Sequence, residues 1–196
     1  MVSIAASAQC SFRNTAFKSG EFLSYNLYYN WKFVWVKAGT ASMYTVGSTY
    51  KGKPAYRSSL TTRGNNKVDN MFVLRDTLLC YSSTDLEPLY FRKGAREGKR
   101  YTVDFPSADG KETSPARLRF NGTTKIKADN GKKYRCAELS YLEYEDRKWK
   151  EIVRFYVTDD QNHIPIRLDM FLKFGSAKAF LTSMRGMRNP VTSLVK

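Results

Sequence analysis

The chain has 196 residues, of which 42% are hydrophobic and 26% charged, which excludes a disordered chain and fits one sizeable domain with a core. Its 33 basic and 18 acidic side chains leave a net charge of +15. Such a charge favours anionic partners, acidic lipid or lipopolysaccharide-like surfaces among them, or serves only as a solvated basic surface. No run of about 18 apolar residues occurs, so no helical membrane span is expected.

The first residues, Met1–Gln9, contain Ala6-Ser7-Ala8, an A-x-A pattern found at secretory cleavage sites. Residues 1–9 are therefore read as a signal-peptide remnant, 10–190 as one β domain and 191–196 as a tail. An exported, periplasmic location is expected. Gln9 is not the small residue that precedes a lipid-carrying cysteine, so Cys10 is not expected to be acylated.

From Gly20 to Val46 the chain alternates, turns and alternates again. Successive strand side chains point to opposite faces. Leu23, Tyr25, Leu27, Tyr29 and Trp31 thus share one face, and Phe22, Ser24, Asn26, Tyr28 and Asn30 the other. Strict alternation in the second arm groups Val34, Val36, Ala38, Tyr44 and Val46. The small run around Ala38-Gly39 predicts a bulge or bend, or the close approach of a backbone or ligand.

A third strand is expected over Pro54–Arg63, and a short helix or loop over Gly64–Phe72. Leu74–Ser83 follows as a strand, then a turn at Thr84–Pro88. Leu89–Arg96 and Lys99–Phe105 read as a hairpin, and Pro106–Pro115 as a polar loop. Asn121-Gly122 predicts a two-residue hairpin between Ala116–Phe120 and Thr124–Ala128. Lys133–Glu145 and Lys148–Thr158 form a long hairpin across Asp146-Arg147, with Trp149, Val153, Phe155 and Val157 on one side. Ile164, Ile166, Leu168, Met170, Leu172 and Phe174 then alternate strictly, and Gly175-Ser176 turns the chain into a last strand. The fold class is all-β with little helix: a long antiparallel meander of about a dozen strands, too wide to stay flat, curled into a half-barrel or barrel-like sheet.

No HExxH, CxxC or GxSxG pattern occurs, and no glycine-rich loop joins a strand to a helix. No cofactor, metal ligand or catalytic residue is assigned. His163, the single histidine, reads as a strand-entry residue. Glu143, Glu145 and Asp146, and Asp159 with Asp160, fall at hairpin ends, where carboxylates are ordinarily solvated. Basic and aromatic residues interleave at Tyr90-Phe91-Arg92-Lys93 and Lys99-Arg100-Tyr101, either as a polyanion-binding face or as a plain solvent face. Export argues against nucleic acid. Cys80 and Cys136 are the candidates for one disulfide, with buried free thiols as the alternative.

The Gly20-Glu21-x-Leu23-x-Tyr25 opening, Ala38-Gly39, the Asp85-x-x-Pro88 turn and Asp160…Pro165-Ile166-Arg167 with Gly175 and Leu181 resemble a bacterial exported family. It is known as domain of unknown function thirty-one-oh-eight, with members in Bacteroides-like organisms, and the resemblance runs from about Phe17 to Gly186. The family has no assigned activity, so the resemblance transfers no catalytic residue. It is similar at fold level to half-barrel lipoprotein carriers, which implies a curved sheet with an apolar face able to hold an acyl chain.

The leading expectation is a non-enzymatic protein that binds an apolar or amphiphilic ligand or an envelope component, a lipid or lipoprotein included. Tyr25, Tyr29 and Trp31 would line the site, unless that face is simply packed core, and Arg92, Lys93 and Arg167 would hold an anionic head group. The alternatives are an envelope interaction or assembly protein using its basic surface, and a glycan-acting enzyme with a carboxylate pair.

Overall fold

Period-two alternation becomes hydrogen-bonded pairing in twelve strands. The computed structural model describes residues 13–31, 34–65, 75–97, 99–105, 116–172 and 175–195. The side chains of residues 31, 93–97 and 99–105 lie outside that description, as do the expected signal remnant, Cys10, most of the expected 64–72 segment and the expected 106–115 loop. The strands are β1 (Glu21–Trp31), β2 (Val34–Tyr50), β3 (Lys53–Gly64), β4 (Asp76–Ser83), β5 (Pro88–Glu97), β6 (Lys99–Phe105), β7 (Ala116–Lys127), β8 (Lys133–Glu145), β9 (Lys148–Thr158), β10 (Pro165–Leu172), β11 (Gly175–Arg185) and β12 (Leu194–Val195). Among the described residues there is no helix, and hence none long and apolar enough to cross a membrane.

All pairings are antiparallel, and β1–β6 and β7–β11 are each a plain meander. The two meanders join through β11, which pairs with β1 in register Asn26↔Phe180. The two ends of the chain therefore meet in the middle of the sheet, and β6 and β7 lie at its edges. Eleven strands spaced about 4.8 Å apart would put those edges about 48 Å apart if flat. The chain from Phe105 to Ala116 reaches at most about 38 Å, so the sheet has to curl. The result is an open all-β half-barrel.

Two-residue turns set several registers. Lys51 and Gly52 have φ of 48° and 78°, and Asp146 and Arg147 have 52° and 62°. Both pairs meet the left-handed requirement of a type I′ hairpin. His163 also sits at positive φ, 49°, where its N–H donates to the Asp160 carbonyl. It is a turn residue entering β10.

Bulges reset the side-chain phase at places where alternation alone misleads. Opposite Leu27-Tyr28 the partners on β2 are Gly39 and Lys37, so Ala38 is an extra residue. Val34 and Val36 consequently face one way and Tyr44 and Val46 the other, not all four together. Gly39 also lies against the β3 backbone, and a β-carbon there would collide with the Arg63 carbonyl. A bend and a close backbone approach thus coincide. Ile152 is extra in β9, which moves Trp149 to the face opposite Val153, under the Arg117 guanidinium at 3.9 Å. The expected Asn121-Gly122 hairpin does not form. β7 runs unbroken past it with Asn121 as the extra residue, and the Asn121 amide donates to Ser140 Oγ at 2.7 Å. The long ladder with β8 outweighs the local turn preference.

The segment set apart as a tail is bonded into the domain. Ser193 is fully buried, its carbonyl accepts the Arg135 N–H at 2.8 Å, and β12 continues along β8 past the point where β9 ends. The core gathers nearby around Leu23, Tyr25, Tyr134, Ile164, Ile166 and Leu181. Asp160 ties this region together: its carboxylate accepts the Thr158 hydroxyl at 2.9 Å and the N–H groups of Asn162 and Ser193 at 3.1 and 3.2 Å.

Cys80 and Cys136 are free thiols. The disulfide left open by the sequence does not form, because β4 and β8 are far apart in the strand order. Burial pushes the Cys136 thiol up to about 12, helped by the nearby Asp159 and Asp160 charges. Only the thiolate is a strong nucleophile. Maleimide labelling of native protein should therefore modify half-buried Cys80 while sparing Cys136, and denaturation should expose both. Mass mapping of the labelled peptides reads this directly.

Candidate functional site: an apolar band across seven strands

The pairing register aligns two rows of apolar side chains on the face that carries Leu27 and Tyr29. The first row passes from Phe120 through Leu139, Phe155 and Leu168 to Ala179, Leu27 and Gly39. The second passes from Leu118 through Tyr141, Val153 and Met170 to Ala177, Tyr29 and Val36. No charged residue interrupts either row over seven neighbouring strands. Most members are half-buried, while Leu118 and Phe120 on edge strand β7 are 67% and 62% exposed. Ala179, Leu27 and Leu168 merge the middle of the band into the core, so its open part is the β7 end, and an exposed apolar patch of this kind is a candidate binding surface.

The opposite face explains why the band is not mere composition. Behind the second row run Arg119, Ser140, Arg154, Asp169, Lys178, Tyr28 and Lys37. Most of these polar groups are held by polar neighbours on the same face or at its rim. Arg154 makes a two-point pair with Glu151 at 2.7 and 2.8 Å, which lowers the Glu151 pKa below the usual carboxylate range. Ser140 donates to the same carboxylate at 2.6 Å.

The residues expected to form the site separate into three groups. Tyr25 is part of the packed core, and its hydroxyl donates to the Pro165 carbonyl at 3.0 Å. Tyr29 lies in the band. Trp31 pairs with Val34, and its side chain is outside the described residues. The aromatic face is thus packed core at its Leu23–Tyr25 end and half-buried at its Leu27–Tyr29 end.

Of the expected head-group cations, Arg92 and Arg167 lie on the face opposite the band, while Lys93 is on the band's own side by register. Arg167 points to the charged face, where Asp169 holds it at 2.7 and 2.6 Å between the Tyr156 and Phe180 rings. Arg92 pairs with Leu79, which alternates away from Leu78 and so from the band. Lys93 pairs with Leu78, and its side chain is outside the described residues. Further cations on the band's own side occur on β7 and β8. Beyond Thr123↔Ala137 the same alternation brings Lys125↔Arg135 and Lys127↔Lys133. Arg135 is committed to Asp159 at 3.0 Å, while Lys125, Lys127 and Lys133 are exposed. Alternating lysines at 125 and 127 were visible in the sequence, but their side relative to Leu118 and Phe120 depends on the Asn121 bulge.

The carboxylates at the hairpin ends are engaged as well. Glu145 and Asp146 both accept from Lys150, at 2.9 and 2.7 Å.

An open, single-sheet half-barrel with an apolar band on one face and charged residues behind it defines the class: an all-β half-barrel protein. A family model described as Protein of unknown function (DUF3108) matches residues 24–104 and 99–182; the chain belongs to that family. No curated protein matches it. Among solved structures, a beta-barrel-like protein of domain of unknown function DUF1849 from Brucella abortus aligns with a TM-score of 0.45 and 10% identity, covering 87% of this chain and 98% of its own.

Proposed function

We propose that the protein is an exported, non-enzymatic periplasmic binder of an amphiphile, which lays its acyl chain along the apolar band and its anionic head group toward Lys125, Lys127 and Lys133. The carrying observation is the pair of uninterrupted apolar rows from Phe120 to Gly39 and from Leu118 to Val36. Covering such a surface removes apolar area from water at about 25 cal/mol per Å². The A-x-A pattern at Ala6–Ala8 supports export.

Mass spectrometry of a denatured extract of protein purified from its own periplasm should reveal bound lipid. Leu118→Glu with Phe120→Glu should weaken binding of a fluorescent acyl probe by at least about tenfold, since each buried apolar side chain contributes roughly 1.5–3 kcal/mol. Both positions are exposed, so the melting temperature should hardly change. Protein that comes out empty and does not bind the probe would overturn the proposal and leave envelope interaction through the basic surface as the better account.

A further inference from the structure

Two neighbouring hairpin ends carry apolar side chains that neither face of the sheet absorbs. In β2 the consecutive residues Val34, Trp35 and Val36 are 62%, 40% and 41% exposed, and in β10 Phe171 and Leu172 are 41% and 51% exposed. Asn30 pairs with Trp35 on one side and Ser176 on the other, and Ser176 pairs with Phe171. The two ends are therefore one continuous patch. Gly175 keeps them close, since a β-carbon there would lie 2.8 Å from the Asn30 carbonyl oxygen.

Val34, Val36 and Leu172 lie on the side of the apolar band, while Trp35 and Phe171 lie on the opposite side. A ligand held on one face accounts only for the first three. An edge that is apolar on both faces matches a surrounding that is apolar on both sides, as at the boundary between head groups and acyl chains. Cations stand one row behind. The Lys178 ammonium is 4.2 Å from the Trp35 ring centroid, and Tyr28 pairs with both Lys37 and Lys178. Lysines in this position bury their stems and present their charge at head-group level. The net charge of +15 adds long-range attraction to an acidic surface.

We propose that these two hairpin ends dock the protein on a bilayer bearing anionic head groups, with Trp35 and Phe171 entering the interface and Lys37 and Lys178 pairing with phosphates. Vesicle flotation tests this with the full chain, using phosphatidylcholine vesicles with and without phosphatidylglycerol. The wild-type protein should float with the acidic vesicles. Trp35→Ser with Phe171→Ser should weaken that binding by at least about tenfold. Lys37→Ser with Lys178→Ser should weaken it by about thirtyfold and flatten its salt dependence.

Full binding by the Trp35/Phe171 variant would overturn the proposal, as would no flotation with either vesicle. Self-association of the wild type that the Trp35/Phe171 variant abolishes, without vesicle binding, would make the patch an interface between two copies and equally overturn it. The Leu118→Glu/Phe120→Glu protein should still float, so failure of the acyl-binding proposal and failure of this one are read separately.

Discussion

Asp160→Ala is expected to lower the melting temperature by about 6–12 °C at pH 7, equivalent to about 3 kcal/mol. The carboxylate is buried and accepts the Thr158 hydroxyl and the N–H groups of Asn162 and Ser193. Alanine leaves those buried donors without their acceptor, and each orphaned group costs roughly 1–3 kcal/mol. The effect should be cooperative, because Thr158 Oγ1 in turn accepts the Ile164 N–H at 2.8 Å. Burial alone would raise the Asp160 pKa, but these hydrogen bonds outweigh it and hold the group below the usual carboxylate range. A depressed folded pKa contributes stability above the unfolded value that disappears as pH falls through the folded one. The gap between wild type and the variant should therefore narrow below about pH 4, where unfolded aspartate begins to protonate. Thermal denaturation at pH 7 and pH 3 measures both points; an unchanged gap would deny the carboxylate its role.

Glu21→Gln should act in the other direction. Glu21 is 7% exposed, and among the described residues its Oε2 has no hydrogen-bond partner. Burial pushes its pKa from 4.5 up to about 7. The folded chain then binds the proton more tightly than the unfolded chain, so stability declines as pH rises from about 4.5 to about 7 and stays reduced above that. Glutamine keeps the shape without the charge. The variant should match the wild type near pH 4.5 and exceed it at pH 8. Each tenfold change in proton affinity is worth about 1.4 kcal/mol, and residual solvation reduces the sum to about 1–2 kcal/mol, or roughly 5 °C. Equal melting temperatures at pH 8 would mean that the carboxyl finds a partner or water when ionised.

The hairpins were legible where turn chemistry and alternation agree. Asp146-Arg147 joins β8 and β9 at the expected residues, and Leu78 with Cys80 alternates against Leu79 and Tyr81 as expected. The bulge at Ala38 was legible from the glycine beside it, although its effect on the side-chain phase was not. Two others were not legible: Asn121 and Ile152 each insert one residue, and each inverts the side-chain pattern beyond it. Asn121-Gly122 even carries the strongest local hairpin signal, which the β8 ladder overrides.

The site was legible in one strand only. Leu27 and Tyr29 belong to the apolar band, but their partners Leu168, Phe155, Leu139 and Phe120 come from four other strands. Their alignment is a matter of register between distant segments, which no local pattern encodes. Arg167 was among the basic residues expected to hold an anionic head group. Its partner is Asp169, two residues along the same strand.

The seam between β1 and β11 has a consequence for how the protein comes into being. Chain synthesis proceeds from the amino terminus, so β1 emerges first and its partner Phe180 follows Asn26 only some 150 residues later. Until then the β1–β6 meander has β1 as an open edge, with Leu23, Tyr25 and Leu27 uncovered. Contacts of such long sequence separation form late and slowly. The chain's most vulnerable interval is thus the wait for its last long strand, with the first strand the part left to protect.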